Sequence, residues 1–120
     1  MLAQLFSFAN VGLESEKITV EVGLCGSEGK MHIVGLGDTA VQESRRRVKM
    51  AIRNCGYRAT TGQDITINLA PADIRKIGPR YDLPIAVGIL IANKSIKVPE
   101  SYLKESAFIG ELALDGGLRH

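Results

Sequence analysis

Apolar and polar residues alternate with a period of two along much of this chain, and each such stretch predicts a half-buried strand. Residues 2–9 form the first. Residues 17–25 form the second, with Ile18, Val20, Val22 and Leu24 set against Thr19 and Glu21. A Gly26-Ser27-Glu28-Gly29 turn then predicts a hairpin with a third strand at 30–35. From about Thr39 to Cys55 the period becomes helical, with Val41, Val48, Ala51, Ile52 and Cys55 as the buried stripe. Thr39 and Gln42 have capping-box spacing at its start, and Gly56 supplies the stop. Ile65, Ile67 and Leu69 predict a strand at 64–69, and Leu83 to Ala92, apolar on nearly every side, predicts a fully buried helix. Asp82 is placed to cap that helix, and Pro84 fits its first turn, where no amide hydrogen is needed. Pro99-Glu100-Ser101 starts a short helical piece, followed by a strand at 107–112 and a hairpin turn at Asp115-Gly116-Gly117. Hairpins mixed with two strand–helix–strand passages predict an α+β (mixed α/β) class. The simplest architecture is one mixed sheet with two main helices packed on one face.

The connection from the strand at 64–69 to the buried helix is longer than structure alone requires. A plain connection would use roughly 2–6 residues. Here residues 70–81 supply two prolines, Gly78 before Pro79, and the charged residues Arg75, Lys76 and Arg80. Such a segment at the exit of a strand reads as a built surface.

Composition narrows the classes. With 120 residues, 45% of them apolar and 23% charged, the chain is one ordinary globular domain. No apolar run approaches the ~20 residues that span a bilayer, and MLAQLFSFAN lacks the charged start and apolar core of a signal peptide. These features predict cytoplasmic residence without membrane association. Cys25 and Cys55 have no metal-binding or redox spacing and are expected to be buried thiols. A chain that stops just into a hairpin arm is expected to be a fragment of something longer.

Three motifs bear on chemistry. VGLGDTA places Gly35, Gly37 and Ala40 in the permissive dinucleotide pattern between a strand and a helix. That site needs an acid about 20 residues later, and none lies between Glu43 and Asp64. Glycines serving a tight turn are therefore the favoured reading. No phosphate loop is present, so the chain is not expected to hydrolyse ATP alone. His32 and His120 have no base–nucleophile context, and no metal site is expected. The basic residues are the stronger candidate. Arg45, Lys49 and Arg53, with Arg46 beside them, descend one flank of the first helix, and Arg75, Lys76 and Arg80 crowd the long turn. The net charge of +2 is too small to imply nucleic acid, so placement carries the argument. Such clusters can meet phosphates, an acidic partner surface, or only solvent.

With these motifs in view, VGLGDTAVQESRRRVKMAIRNCGY, ITINLAPADIRKIGPRYDLPIAVGIL and FIGELALDGGLR, in that order, resemble the N-terminal domain of the ComM/YifB family. These are bacterial proteins related to the ChlI subunit of magnesium chelatase. Gly37 stands where the family has Pro and Tyr81 where it has Phe. The resemblance implies a Lon-protease-domain-like βαβ fold with a left-handed crossover, against the usual right-handed rule. It implies a downstream AAA+ ATPase module, which would supply the ATP and Mg2+ chemistry, assembly into a homo-oligomeric ring, and a role in DNA branch migration during natural transformation. The domain itself would be non-catalytic, with Arg75, Lys76, Arg80, Arg45, Lys49 and Arg53 as contacts to DNA or to the AAA+ module. Asp82, Pro84, Gly78 and Pro79 would be structural.

Comparison with Lon also tests a peptidase reading. Where the Lon nucleophile would follow Gly78-Pro79, this chain has Arg80, whose guanidinium stays protonated and cannot attack a carbonyl. The remaining rivals are a purely structural oligomerisation domain, a degenerate Lon-like hydrolase and a subunit related to magnesium chelatase.

Overall fold

The computed structural model describes residues 2–59 and 62–119, so His120 lies outside the described residues. Four strands form one mixed sheet: β1 (Leu2–Val11), β2 (Glu14–Cys25), β3 (Met31–Val34) and β4 (Asp64–Ala70), in the order β1-β2-β4-β3. Between them run α1 (Thr39–Asn54), α2 (Asp82–Ala92) and a short α3 (Glu100–Lys104). This is the α+β class that the alternation predicts.

The predicted hairpin of the second and third strands does not form. β4 inserts between them, antiparallel to β2 (Val22 opposite Ile67) and parallel to β3 (Ile33 opposite Ile67). The Gly26–Gly29 segment is held instead by Asp64, whose carboxylate accepts from the amides of Glu28 (3.0 Å) and Lys30 (3.1 Å). A parallel neighbour requires a crossover, and α1 provides it. One strand–helix–strand passage thus exists where two were predicted. The segment at 107–112 is not a ladder strand either. It runs extended across other elements, with Phe108 N donating to Phe6 O and Gly110 N to Arg80 O, and closes in a tight hairpin through Ala113 N to Gly117 O.

β1 and β2 outrun the rest of the sheet. β4 reaches only as far as Thr19, while the β1–β2 pairing continues to Val11 opposite Glu14. Residues 10–17 therefore stand out as a two-stranded ribbon, all of them exposed.

The core lies between the inner sheet face and the helices. Leu5, Val20, Val22, Ile67 and Leu69 are fully buried, and Ile85 and Ile89 of α2 meet them. α2 packs on β1 and β2 on one side and against α1 on the other, which is why nearly all its faces are apolar. At Gly88 a Cβ would meet Val22 at 2.6 Å, so the missing side chain sets the helix–sheet distance. The α1 stripe is buried at Val41, Val48, Ala51 and Ile52, but Cys55 is exposed, as is Cys25. The expectation of buried thiols fails because Cys55 falls beyond the last helical turn and Cys25 at the end of its strand.

Candidate nucleic-acid interface

Asp38, not Thr39, caps α1. Its Oδ1 accepts from Val41 N at 2.9 Å, and its Oδ2 accepts from Gly78 N at 3.2 Å. Gln42 reaches away from the cap, to Ile33 O. Asp38 N donates to Lys76 O and Lys76 N to Leu36 O, so the loop before α1 and the long turn are laced together. A carboxylate thus occupies the helix start where a pyrophosphate would have to sit. Gly35, at φ 109°, lies so close to β4 that a Cβ would overlap the Leu69 carbonyl. The glycines of VGLGDTA serve close packing, Gly35 against the Leu69 backbone and Gly37 against the Val41 side chain.

The turn residues divide. Lys76 is fully buried, its Nζ donating to the Pro71 carbonyl, and desolvation holds its pKa below the ordinary lysine range. The prediction that Lys76 is a surface contact is therefore corrected. Its four-carbon stem fills space under the turn, and the ammonium is spent on a backbone acceptor. Arg75 is exposed, and Arg80 is half-buried in the 3-10 turn Pro79–Tyr81. Gly78 enters that turn at φ 85°, a conformation glycine adopts freely. Pro79 takes its first position.

Asp82 does not cap α2. It is the first helical residue, preceded by Tyr81 in helical conformation, and the donors a cap would serve are answered elsewhere. Asp82 N donates to Pro79 O, Leu83 N donates to Gly110 O, and Pro84 has no donor. The Asp82 carboxylate, completely buried, turns toward α1 instead. It accepts from Ser44 Oγ at 2.5 Å, Arg47 Nε at 2.7 Å, Arg47 Nη2 at 3.1 Å and Leu112 N at 3.1 Å. The Arg47 guanidinium, hydrogen-bonded to this carboxylate, is held above its ordinary pKa and also donates to Ala40 O. Ser44 and Arg47 went unnoticed in the sequence. A serine on an otherwise apolar helical stripe, three residues from an arginine, was the available signal. With Ser44 fully buried and spent on Asp82, this cluster offers no nucleophile to a substrate.

The flank of α1 is the open surface. Arg45, Arg46 and Lys49 line a groove of about 720 Å3 together with Met31, Thr39 and one acid, Glu43. Lys49 also lines a second hollow of about 270 Å3, with Arg53, Tyr57 and Arg58. The two are joined along the helix by that shared lysine. Among the described residues, no carboxylate pairs with Arg45, Arg46, Lys49, Arg53 or Arg58; Glu43 on the same helix is turned to Arg47. The structure therefore brings Arg45, Lys49 and Arg53 together, adds Arg46 and Arg58, and withdraws Lys76.

Residues 20–120 match the family model "Subunit ChlI of Mg-chelatase". The chain belongs to the ChlI family. Members of this family are AAA+-type proteins, and within it the chain is similar along nearly its whole length to ComM and YifB proteins. It is 42% identical over 118 residues to the competence protein ComM of Haemophilus influenzae. It is 45% identical over 118 residues to the YifB protein of Salmonella typhimurium, and 38% identical to the Rv2897c protein of Mycobacterium tuberculosis. Each alignment covers 98% of this chain, which spans 23% of each relative's length. No helix among the described residues is long and apolar enough to cross a membrane.

Proposed function

We propose that residues 1–120 are the non-catalytic N-terminal domain of a ComM/YifB-like AAA+ ATPase that processes DNA, and that the flank of α1 contacts the nucleic-acid backbone. The observation that carries this reading is the run of five cations along one helix and its C-terminal end that, among the described residues, have no carboxylate partner. Side chains spaced at i, i+4 and i+8 rise about 6 Å per step, so the three charges form one continuous line along the helix. The name of the Haemophilus relative, a competence protein, agrees with DNA as the polymer. ATP, Mg2+ and ring assembly would belong to the AAA+ module. Arg75, exposed beside the apolar Leu36 and Ile77, presents a mixed surface better suited to that module than to phosphates.

Salt titration of binding by the 120-residue chain tests the reading. Replacing Arg45, Lys49 and Arg53 together with Gln should lower affinity for DNA and flatten the salt slope by about 2–3 units. Its thermal midpoint should match the parent's, since all three side chains lie outside the core. An unchanged slope in the triple variant would refute the assignment of the α1 flank.

A further inference from the structure

The second hollow differs from the first in holding an aromatic ring. α1 ends in a Schellman motif, with Gly56 at φ 87° donating to Arg53 O (3.0 Å) and Tyr57 N donating to Ile52 O (3.1 Å). This motif fixes Tyr57 immediately beyond the helix, next to Arg53. The following residue is pinned as well, since Asn93 Nδ2 at the end of α2 donates to Arg58 O at 2.9 Å. Tyr57 is 43% exposed, and its hollow is walled by Lys49, Arg53 and Arg58 with no acid in the lining. Tyr57 also borders an apolar cleft with Leu83, Val87 and Leu90, so its ring lies between that cleft and three cations, an arrangement that a phosphate contact alone does not need.

We infer that this hollow is a base-stacking site for single-stranded nucleic acid, with Tyr57 as the platform and Lys49, Arg53 and Arg58 holding the flanking phosphates. The inference rests on the proposed function and deepens it by naming the strand form. Base–aromatic stacking tolerates any base, because every base has a π-face, but it needs a base that is not already stacked in a duplex. Duplex DNA can reach the cations and not the ring. The Schellman motif and the Asn93 bond have already fixed the backbone on either side of Tyr57, so stacking has only the side chain left to order. The groove of Arg45 and Arg46 continues the cationic track toward the N-terminal end of α1, so a bound strand would run along the helix with one base anchored at its foot.

The test compares Tyr57→Ala, Tyr57→Phe and Arg58→Gln in the 120-residue chain, using a thymidine oligomer of about 12 nucleotides, a duplex of the same length, and polyglutamate. Tyr57→Ala should weaken the single strand about 5- to 150-fold. It should leave the duplex and the salt slope unchanged. Tyr57→Phe should bind like the parent but lose the oligomer-dependent quenching of tyrosine emission, since Tyr81 is buried and Tyr102 sits on α3. Arg58→Gln should lower the single-strand salt slope by about 0.7. Single-strand affinity of Tyr57→Ala within twofold of the parent would overturn the stacking site, and the flattened slope of the α1 triple variant would still stand. Binding of polyglutamate but of neither DNA at low salt would overturn both readings in favour of an acidic protein partner.

Discussion

Replacing Asp82 with Ala should be among the most damaging single changes in the molecule. Were Asp82 a helix cap, its loss would cost about 0.5–2 kcal/mol. The structure gives it a different task. Its carboxylate is fully buried and answers Ser44 Oγ, two nitrogens of Arg47 and the amide of Leu112. Alanine would leave the Arg47 guanidinium, whose side chain is only 20% exposed, facing the interior without its counter-charge. Removing one partner of a buried pair costs about 3–5 kcal/mol. The Leu112 amide and Ser44 hydroxyl also lose their acceptor, while the partial exposure of Arg47 relieves some of the cost, so a total of about 5 kcal/mol is expected. Against a total stability of about 5–15 kcal/mol, this is a lowering of the thermal midpoint by roughly 10–20 °C. Urea unfolding of Asp82→Ala, Arg47→Met and the double variant would measure it, with a coupling energy of about 1–3 kcal/mol expected. A single-variant cost under about 2 kcal/mol together with a coupling near zero would restore the capping role and refute the reasoning.

Lys76→Met should abolish a rise in stability with pH. Burial lowers the folded pKa of Lys76 while the unfolded chain holds the proton to about 10.4, so between the two values the unfolded state binds more protons and stability climbs. Tyr81, raised above its usual value by burial, acts oppositely above about pH 10, so urea midpoints should be compared only below that; an equal slope in Lys76→Met would refute the assignment. Gly35→Ala should cost about 2–5 kcal/mol, from the positive φ and the overlap with the Leu69 backbone. A calorimetric midpoint within a degree or two of the parent would show that β3 and β4 can separate without loss.

Alternation along the chain reveals which face of a strand is buried but not which strand lies beside it. Ile65, Ile67 and Leu69 were legible as an inward row, yet nothing in that row distinguishes β2 from β3 as neighbour. The pairing is decided by α1, whose crossover makes β3 and β4 parallel. The same limit hid the role of Asp82. A lone carboxylate before an apolar helix has the look of a cap, and only the fold brings Ser44 and Arg47, more than thirty residues earlier, against it. Lys76 misled for the opposite reason. Lysine in a charged turn is usually solvated, and its burial depends on a carbonyl at Pro71 that the spacing could not point to. The flank of α1 was readable because helical geometry alone aligns Arg45, Lys49 and Arg53. Tyr57 was not, since its place follows from the Schellman turn after the helix.

The unequal lengths of β2 and its neighbours divide one strand into two mechanical regimes. From Thr19 to Gly23 each residue of β2 lies between two partners, β1 and β4, over a dry core, and its amides should open only when the whole domain does. From Glu14 to Lys17 the same backbone has β1 alone and water on both faces, and a lone two-stranded ribbon is marginally stable in water. Amide-hydrogen protection should therefore fall by orders of magnitude along a single continuous strand, stepping near Ile18. The tip would breathe on a fast timescale while its base stays locked, a compliant arm mounted on a rigid plate.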